Sequence, residues 1–99
     1  MYGLIGKMRA TPGKREDLLQ LLLEATDSMP GCLNYIVARD PADTTAIWVT
    51  EVWVDAASHK ASLNRPDVQA AIAKARPMIA GFDFQFETEP AGGYGLDQP

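Results

Sequence analysis

The run Thr45-Ala46-Ile47-Trp48-Val49-Thr50-Glu51-Val52-Trp53-Val54 is dense in β-branched and aromatic residues and reads as a strand. Side chains of a strand alternate between faces, so Ile47, Val49, Glu51 and Trp53 share one side and Trp48, Thr50, Val52 and Val54 the other. Neither side is polar. An antiparallel sheet with a solvated face alternates more cleanly, so both faces of this strand are expected to be covered. Cys32 to Arg39 reads as a second strand, and the turn Asp40-Pro41-Ala42-Asp43-Thr44 joins the two as a hairpin.

The same reading extends in both directions. Gly3 to Arg9 is aliphatic and closed by the breakers Thr11-Pro12-Gly13, which predicts a first strand and a turn. From Lys14 the apolar positions Leu18, Leu22, Ala25 and Met29, with Leu19, Leu23 and Thr26, keep the 3.6-residue period of an amphipathic helix. Glu16 and Asp17 suit its positive end, and Pro30-Gly31 stops it. Leu21 falls off the stripe and is read as a weak sign of a subunit contact. Asp55 caps a short helical segment through Leu63, and Pro66 opens a further helix to about Ala75, with Val68, Ala71, Ile72 and Ala75 as its apolar stripe. After Arg76-Pro77, Phe82, Phe84 and Phe86 alternate with Asp83, Gln85 and Glu87, the period of a strand with one polar face.

The order β, α, β, β, α, β is that of a ferredoxin-like α+β fold (βαββαβ), one antiparallel sheet with the helices on one side. The uncovered sheet face is expected to pack on a second copy of the chain, giving a homodimer. Residues 1–90 make one domain, and residues 91–99 have little to bury and read as a flexible tail.

Composition narrows the function classes. The chain has 99 residues, 46% hydrophobic, with 9 Lys and Arg against 13 Asp and Glu, a net charge of −4 and a pI near 4.7. Such a balance argues against a nucleic-acid partner, because phosphate binding draws on clustered basic residues. One cysteine, Cys32, allows no intramolecular disulfide, and one histidine, His59, supports none of the zinc sites that need several imidazoles. No apolar run approaches the roughly 20 residues that span a bilayer, so no membrane partner is expected, and the chain reads as cytoplasmic.

The residues also resemble a known family. Glu51-Val52-Trp53-Val54-Asp55-Ala56-Ala57-Ser58-His59, then Ser62-Leu63 and Pro66-Asp67-Val68, resemble the glutamate-x-tryptophan strand end and following helices of the antibiotic biosynthesis monooxygenase (ABM) family. Ala10-Thr11-Pro12-Gly13-Lys14, Pro30-Gly31-Cys32-Leu33-Asn34-Tyr35 and Asp40-Pro41 agree, and the likeness covers about residues 2–90. It implies a dimeric α+β barrel and an oxygenase that works without flavin, haem or metal on quinols or polyketide anthrones. Such substrates, once deprotonated, are electron-rich enough to reduce O2 themselves, so the protein need only bind, deprotonate and shield them.

His59 is the natural base or phenolate hydrogen-bond donor, being the one side chain here whose ordinary titration lies near neutral pH. Trp53 matches a pocket tryptophan of the family and offers a fixed N–H donor and a stacking surface. The resemblance places Val49 where the anthrone branch has a substrate-polarising asparagine. Asn34, a residue unfavourable in a strand, and Tyr35 are further candidates for substrate contact. Those two lie on opposite faces of their strand, so one at most meets a given pocket. Trp48 is read as dimer core, Glu51 as a structural carboxylate paired with Arg9, Lys7 or a backbone amide, Arg76 as a helix-dipole partner, and Met8, Met29 and Met78 as gap-filling core. Other readings are a non-catalytic module that binds a small ligand or regulates, haem degradation, and isomerisation of a small sugar derivative. The last two need histidines that Pro66 to Ala75 and Ser62 do not supply.

Overall fold

A computed structural model describes residues 1–25 and 29–96 of the chain. The elements are strand β1 (Tyr2–Ala10), helix α1 (Arg15–Ala25), strands β2 (Cys32–Arg39) and β3 (Ala46–Trp53), helices α2 (Ala56–Ser62) and α3 (Pro66–Ala75), and strand β4 (Ile79–Thr88). A 3₁₀ turn, Arg76–Met78, links α3 to β4. The strands form one antiparallel sheet in the order β2-β3-β1-β4, the ferredoxin-like α+β arrangement. Thr26, placed in the first helix by periodicity, and residues 97–99 of the tail lie outside the described residues.

Helices α1 and α3 cover one sheet face, where Leu18, Leu19, Ile47, Val49, Ala10 and Ala75 make a buried core. Leu21 turns inward and packs against that core, while Leu23 is the exposed leucine at 46%. At about 100° per residue Leu21 lies roughly 60° from Leu18 and Leu23 roughly 140°, so the apolar face is rotated from the one the spacing predicts. Among the described residues no helix lies over the opposite face, which carries Ile5, Ile36, Trp48, Val52, Phe84 and Phe86. Among the described residues no helix is long and apolar enough to cross a membrane.

Strand β4 departs from strict alternation. Lys7 pairs with Phe84 but Met8 pairs with Phe82, which leaves Asp83 as the extra residue of a bulge. Phe82 is thereby turned to the helix side, away from Phe84 and Phe86. Asp83 lies with the open-face cations: Arg9 donates to its carboxylate at 2.7 Å, and Lys7 stands 3.6 Å away.

Two local devices set α2 against the sheet. Gly31, at φ +80°, brings the chain into β2 where a Cβ would lie 2.6 Å from the Ser58 Cβ, so a side chain there would push α2 away. Asp55 caps α2, its carboxylate accepting from the Ser58 N–H at 2.7 Å. Hydrogen bonds from the Ser58 hydroxyl and from this N–H hold the Asp55 carboxyl below its ordinary range. A carboxyl lowered on folding stabilises above its unfolded pKa, and that contribution is lost as pH falls through the folded value. Asp55→Ala is therefore expected to lower Tm by roughly 5 °C at neutral pH, with the gap to wild type closing in acid. Thermal melts across pH check this, and a gap independent of pH would contradict the cap.

Candidate functional site

Between the sheet and the helices lies a cavity of about 540 Å³, within the range of small-molecule sites. Its walls are mostly apolar: Leu21, Leu22 and Met29 from α1 and the segment after it, Val68, Ala71 and Ile72 from α3, and Met8, Ile79 and Phe82 from the sheet. At one end Glu51 and Trp53 of β3 meet His59 of α2. Glu51 and Trp53 point the same way because they are two residues apart on a strand. His59 reaches them because α2 follows directly on β3 and is fixed by its cap.

The three side chains touch. The Trp53 indole Nε1–H donates to Glu51 Oε1 at 3.0 Å, and His59 Nε2 lies 3.9 Å from the same oxygen. The His59 ring stands edge-on to Trp53, centroids 5.3 Å apart, and packs at 5.5 Å against Tyr2. Trp53 is 1% exposed and the Glu51 side chain 13%. Burial pushes the Glu51 carboxyl above its ordinary range, with the indole N–H and His59 pulling the other way. Tyr35, also in the wall, is pushed well up by burial and by the Glu51 charge, and burial likewise raises the Cys32 thiol.

Trp53, His59 and Tyr35 thus come together around the cavity, and Asn34 and Val49 do not join them. Asn34 pairs with Val52 on the open face, because it alternates with Tyr35, which pairs with the cavity-facing Glu51. Val49 shares a face with Glu51 but is closed over in the core beside Leu18 and Leu19. Glu51 is partnered by neither Arg9 nor Lys7. These alternate to the open face, where Arg9 bonds Asp43 and Asp83 and Lys7 lies near Asp40 and Asp83. Glu51's donor is the indole two residues along its own strand. Ser62 is buried and donates to the His59 backbone carbonyl at 2.6 Å, within the last turn of α2. Trp48 lies on the open face, donating to Asp40 at 2.9 Å with Lys7 over its ring. Arg76 is in the cavity wall, and so are Met8 and Met29, while Met78 packs on the core.

Sheet order, helix placement and this helix-side cavity define a ferredoxin-like α+β domain with a ligand-sized site built on a carboxylate, an indole and an imidazole. The chain belongs to the antibiotic biosynthesis monooxygenase family, whose model matches residues 1–74. A crystal structure from Chloroflexus aurantiacus J-10-fl, named a putative antibiotic biosynthesis monooxygenase, is 60% identical, with a TM-score of 0.95 over 97% of this chain and 98% of its own. One of the same name from Deinococcus radiodurans is 25% identical, with a TM-score of 0.78 over 94% and 95%. A Pseudomonas aeruginosa protein, 20% identical with a TM-score of 0.80 over 92% and 94%, shares the fold. No curated protein matches the chain.

Proposed function

We propose that this protein is a cofactor-independent monooxygenase that oxidises a flat, electron-rich aromatic substrate, a quinol or an anthrone, with O2. One observation carries the reading: a carboxylate, an indole N–H and an imidazole converge at one end of an otherwise apolar cavity. Apolar walls suit a planar ring and keep water from a peroxide, and the polar end suits the hydroxyl that must ionise. Trp53 is the fixed wall of that end, and His59 is the donor to the developing phenolate. Tyr35 bounds the ring's edge.

The electrons balance without a cofactor. A base takes the substrate's proton, the anion passes one electron to O2, and the two radicals join as a carbon–oxygen bond. The peroxide takes the proton back from the base. Loss of the hydrogen that remains on that carbon to the base then breaks the O–O bond, forms the carbonyl, and expels hydroxide, which is protonated to water. For an anthrone the sum is anthrone plus O2 giving anthraquinone plus water.

The open sheet face supports a homodimer as the working form, and a reducing, cytoplasmic setting suits both the free Cys32 thiol and a quinol. The test is O2 uptake with metal-stripped protein across a panel of hydroquinones and an anthrone. Uptake above autoxidation is expected for at least one, and His59→Ala is expected to lower its kcat by about 100-fold. Binding across the panel with no uptake above background would replace this reading by a non-catalytic ligand-binding module.

A further inference from the structure

The geometry points to Glu51 as the group that takes the proton of the substrate's hydroxyl, a catalytic base in the cavity rather than a structural carboxylate. This rests on the oxygenase reading above and names the hydroxyl as the feature the site selects. Oε1 takes both protein contacts, from the Trp53 indole and from His59. Among the described residues Oε2 has no hydrogen-bond partner, yet no buried side-chain oxygen or nitrogen there is left without one. Oε2 is therefore open, and the space beside Glu51 is the cavity. A carboxylate held by one oxygen in an apolar pocket with the other oxygen facing in is satisfied best by a ligand O–H.

Two further features fit a base. Burial raises the Glu51 carboxyl above the ordinary carboxylate range, toward the pH at which it both ionises and holds a proton well. The facing titratable groups are His59 from α2, Tyr35 and Cys32 from β2, Tyr2 from β1 and, elsewhere in the cavity wall, Arg76. All three are raised above their ordinary values, Tyr35 and Cys32 by burial and Tyr2 by the neighbouring Glu87. None of the three competes with Glu51 for the proton. In the step itself the substrate O–H bond breaks, its electron pair stays on the substrate oxygen, and the proton forms a bond to Oε2. His59 Nε2, close to Oε1, is placed to donate to the new phenolate. The proton passes next to the peroxide formed on O2 addition, which restores the carboxylate.

The test uses full-length protein, 1,4-naphthohydroquinone and its dimethyl ether, with anaerobic binding read from tryptophan fluorescence and turnover from O2 uptake. In wild type the hydroquinone is expected to bind more tightly as pH rises through the Glu51 titration, while the ether, which has no O–H, shows no such slope. Glu51→Gln keeps the side-chain shape and is expected to abolish the slope, to remove the acid limb of the kcat/KM profile, and to lower kcat by about 100-fold with KM changed by less than about fivefold. A Glu51→Gln protein that keeps the slope, or keeps kcat within about threefold of wild type, overturns the assignment. If wild type shows the Glu51-dependent slope but consumes no O2 above autoxidation, Glu51 stands as the hydroxyl acceptor and the oxygenase reading falls.

Discussion

Trp53→Phe is expected to leave a folded protein whose catalysis is displaced to higher pH. Phenylalanine keeps most of a side chain that is 1% exposed at the end of β3, but it removes the Nε1–H that donates to Glu51 at 3.0 Å. The Glu51 carboxylate is left with the His59 nitrogen at 3.9 Å, beyond hydrogen-bond range. The indole bond lowers the Glu51 pKa against the push of burial, so its loss raises that pKa further. The acid limb of the kcat/KM profile therefore moves up in pH. Stability follows with a definite sign. A carboxyl whose folded pKa lies above its unfolded value costs stability as pH rises from the unfolded value through the folded one. Raising the folded pKa widens that window, so the deficit of Trp53→Phe is larger near about pH 8 than near about pH 5. Losing a donor to a buried charged group costs about 1–3 kcal/mol, which in a chain this size is a drop of roughly 4–8 °C in Tm per kcal/mol. Trp53→Ala adds a cavity and about 3–5 kcal/mol, a large share of the roughly 5–15 kcal/mol that holds a domain together, and is expected to unfold much of the population. An unaltered pH profile in Trp53→Phe would reduce Trp53 to packing.

The architecture was legible because its signals are local. Strand β2 and helix α3 run over the residues that breaker and proline positions indicate, and Asp55 caps α2 as its place before Ala56 predicts. Parity along β3 put Glu51 and Trp53 on one side and Trp48 on the other. What was not legible depends on register between strands. The bulge at Asp83 leaves no mark in composition, yet it turns Phe82 into the cavity and leaves Phe84 and Phe86 on the open face. The shift between Cys32 and Asn34 likewise brings Cys32 opposite Trp53 instead of leaving it on the face of Asn34.

The partner of Glu51 differs from the expected one for a related reason. A buried carboxylate asks for a cation, and Arg9 and Lys7 are the cations of the first strand, which neighbours β3 in the sheet. Lys7 and Arg9 alternate to the other side of β1, where Asp40, Asp43 and Asp83 engage them. The signal that could have found Glu51's partner is the i, i+2 spacing to Trp53, since an indole N–H on the same strand face is a donor within reach.

Phe86→Glu is expected to turn a dimer into a monomer with little change in the stability of the single chain. Phe86 is 60% exposed on the open face and stacks on Phe84, which meets the Trp48 ring edge-on at 5.2 Å. Ile36, 52% exposed, adds to the same surface from the far edge strand. A patch of stacked aromatics flanked by aliphatic side chains is the kind of surface that a soluble protein covers. In a two-fold pair the patch meets itself, so one substitution acts twice. In the isolated chain a glutamate at this exposed position costs within about 0.5 kcal/mol. In the pair it places two carboxylates in an apolar contact, and a loss of at least about 2 kcal/mol weakens the Kd by roughly 30-fold or more. The Lys7, Arg9, Asp40, Asp43 and Asp83 network lies beside the aromatics and gives the surface a fixed polar border. Sedimentation at micromolar concentration checks the expectation: wild type runs as a dimer and Phe86→Glu as a monomer with a native circular dichroism spectrum. A monomeric wild type, or a Phe86→Glu protein that still pairs, would show that this face is not where two copies meet.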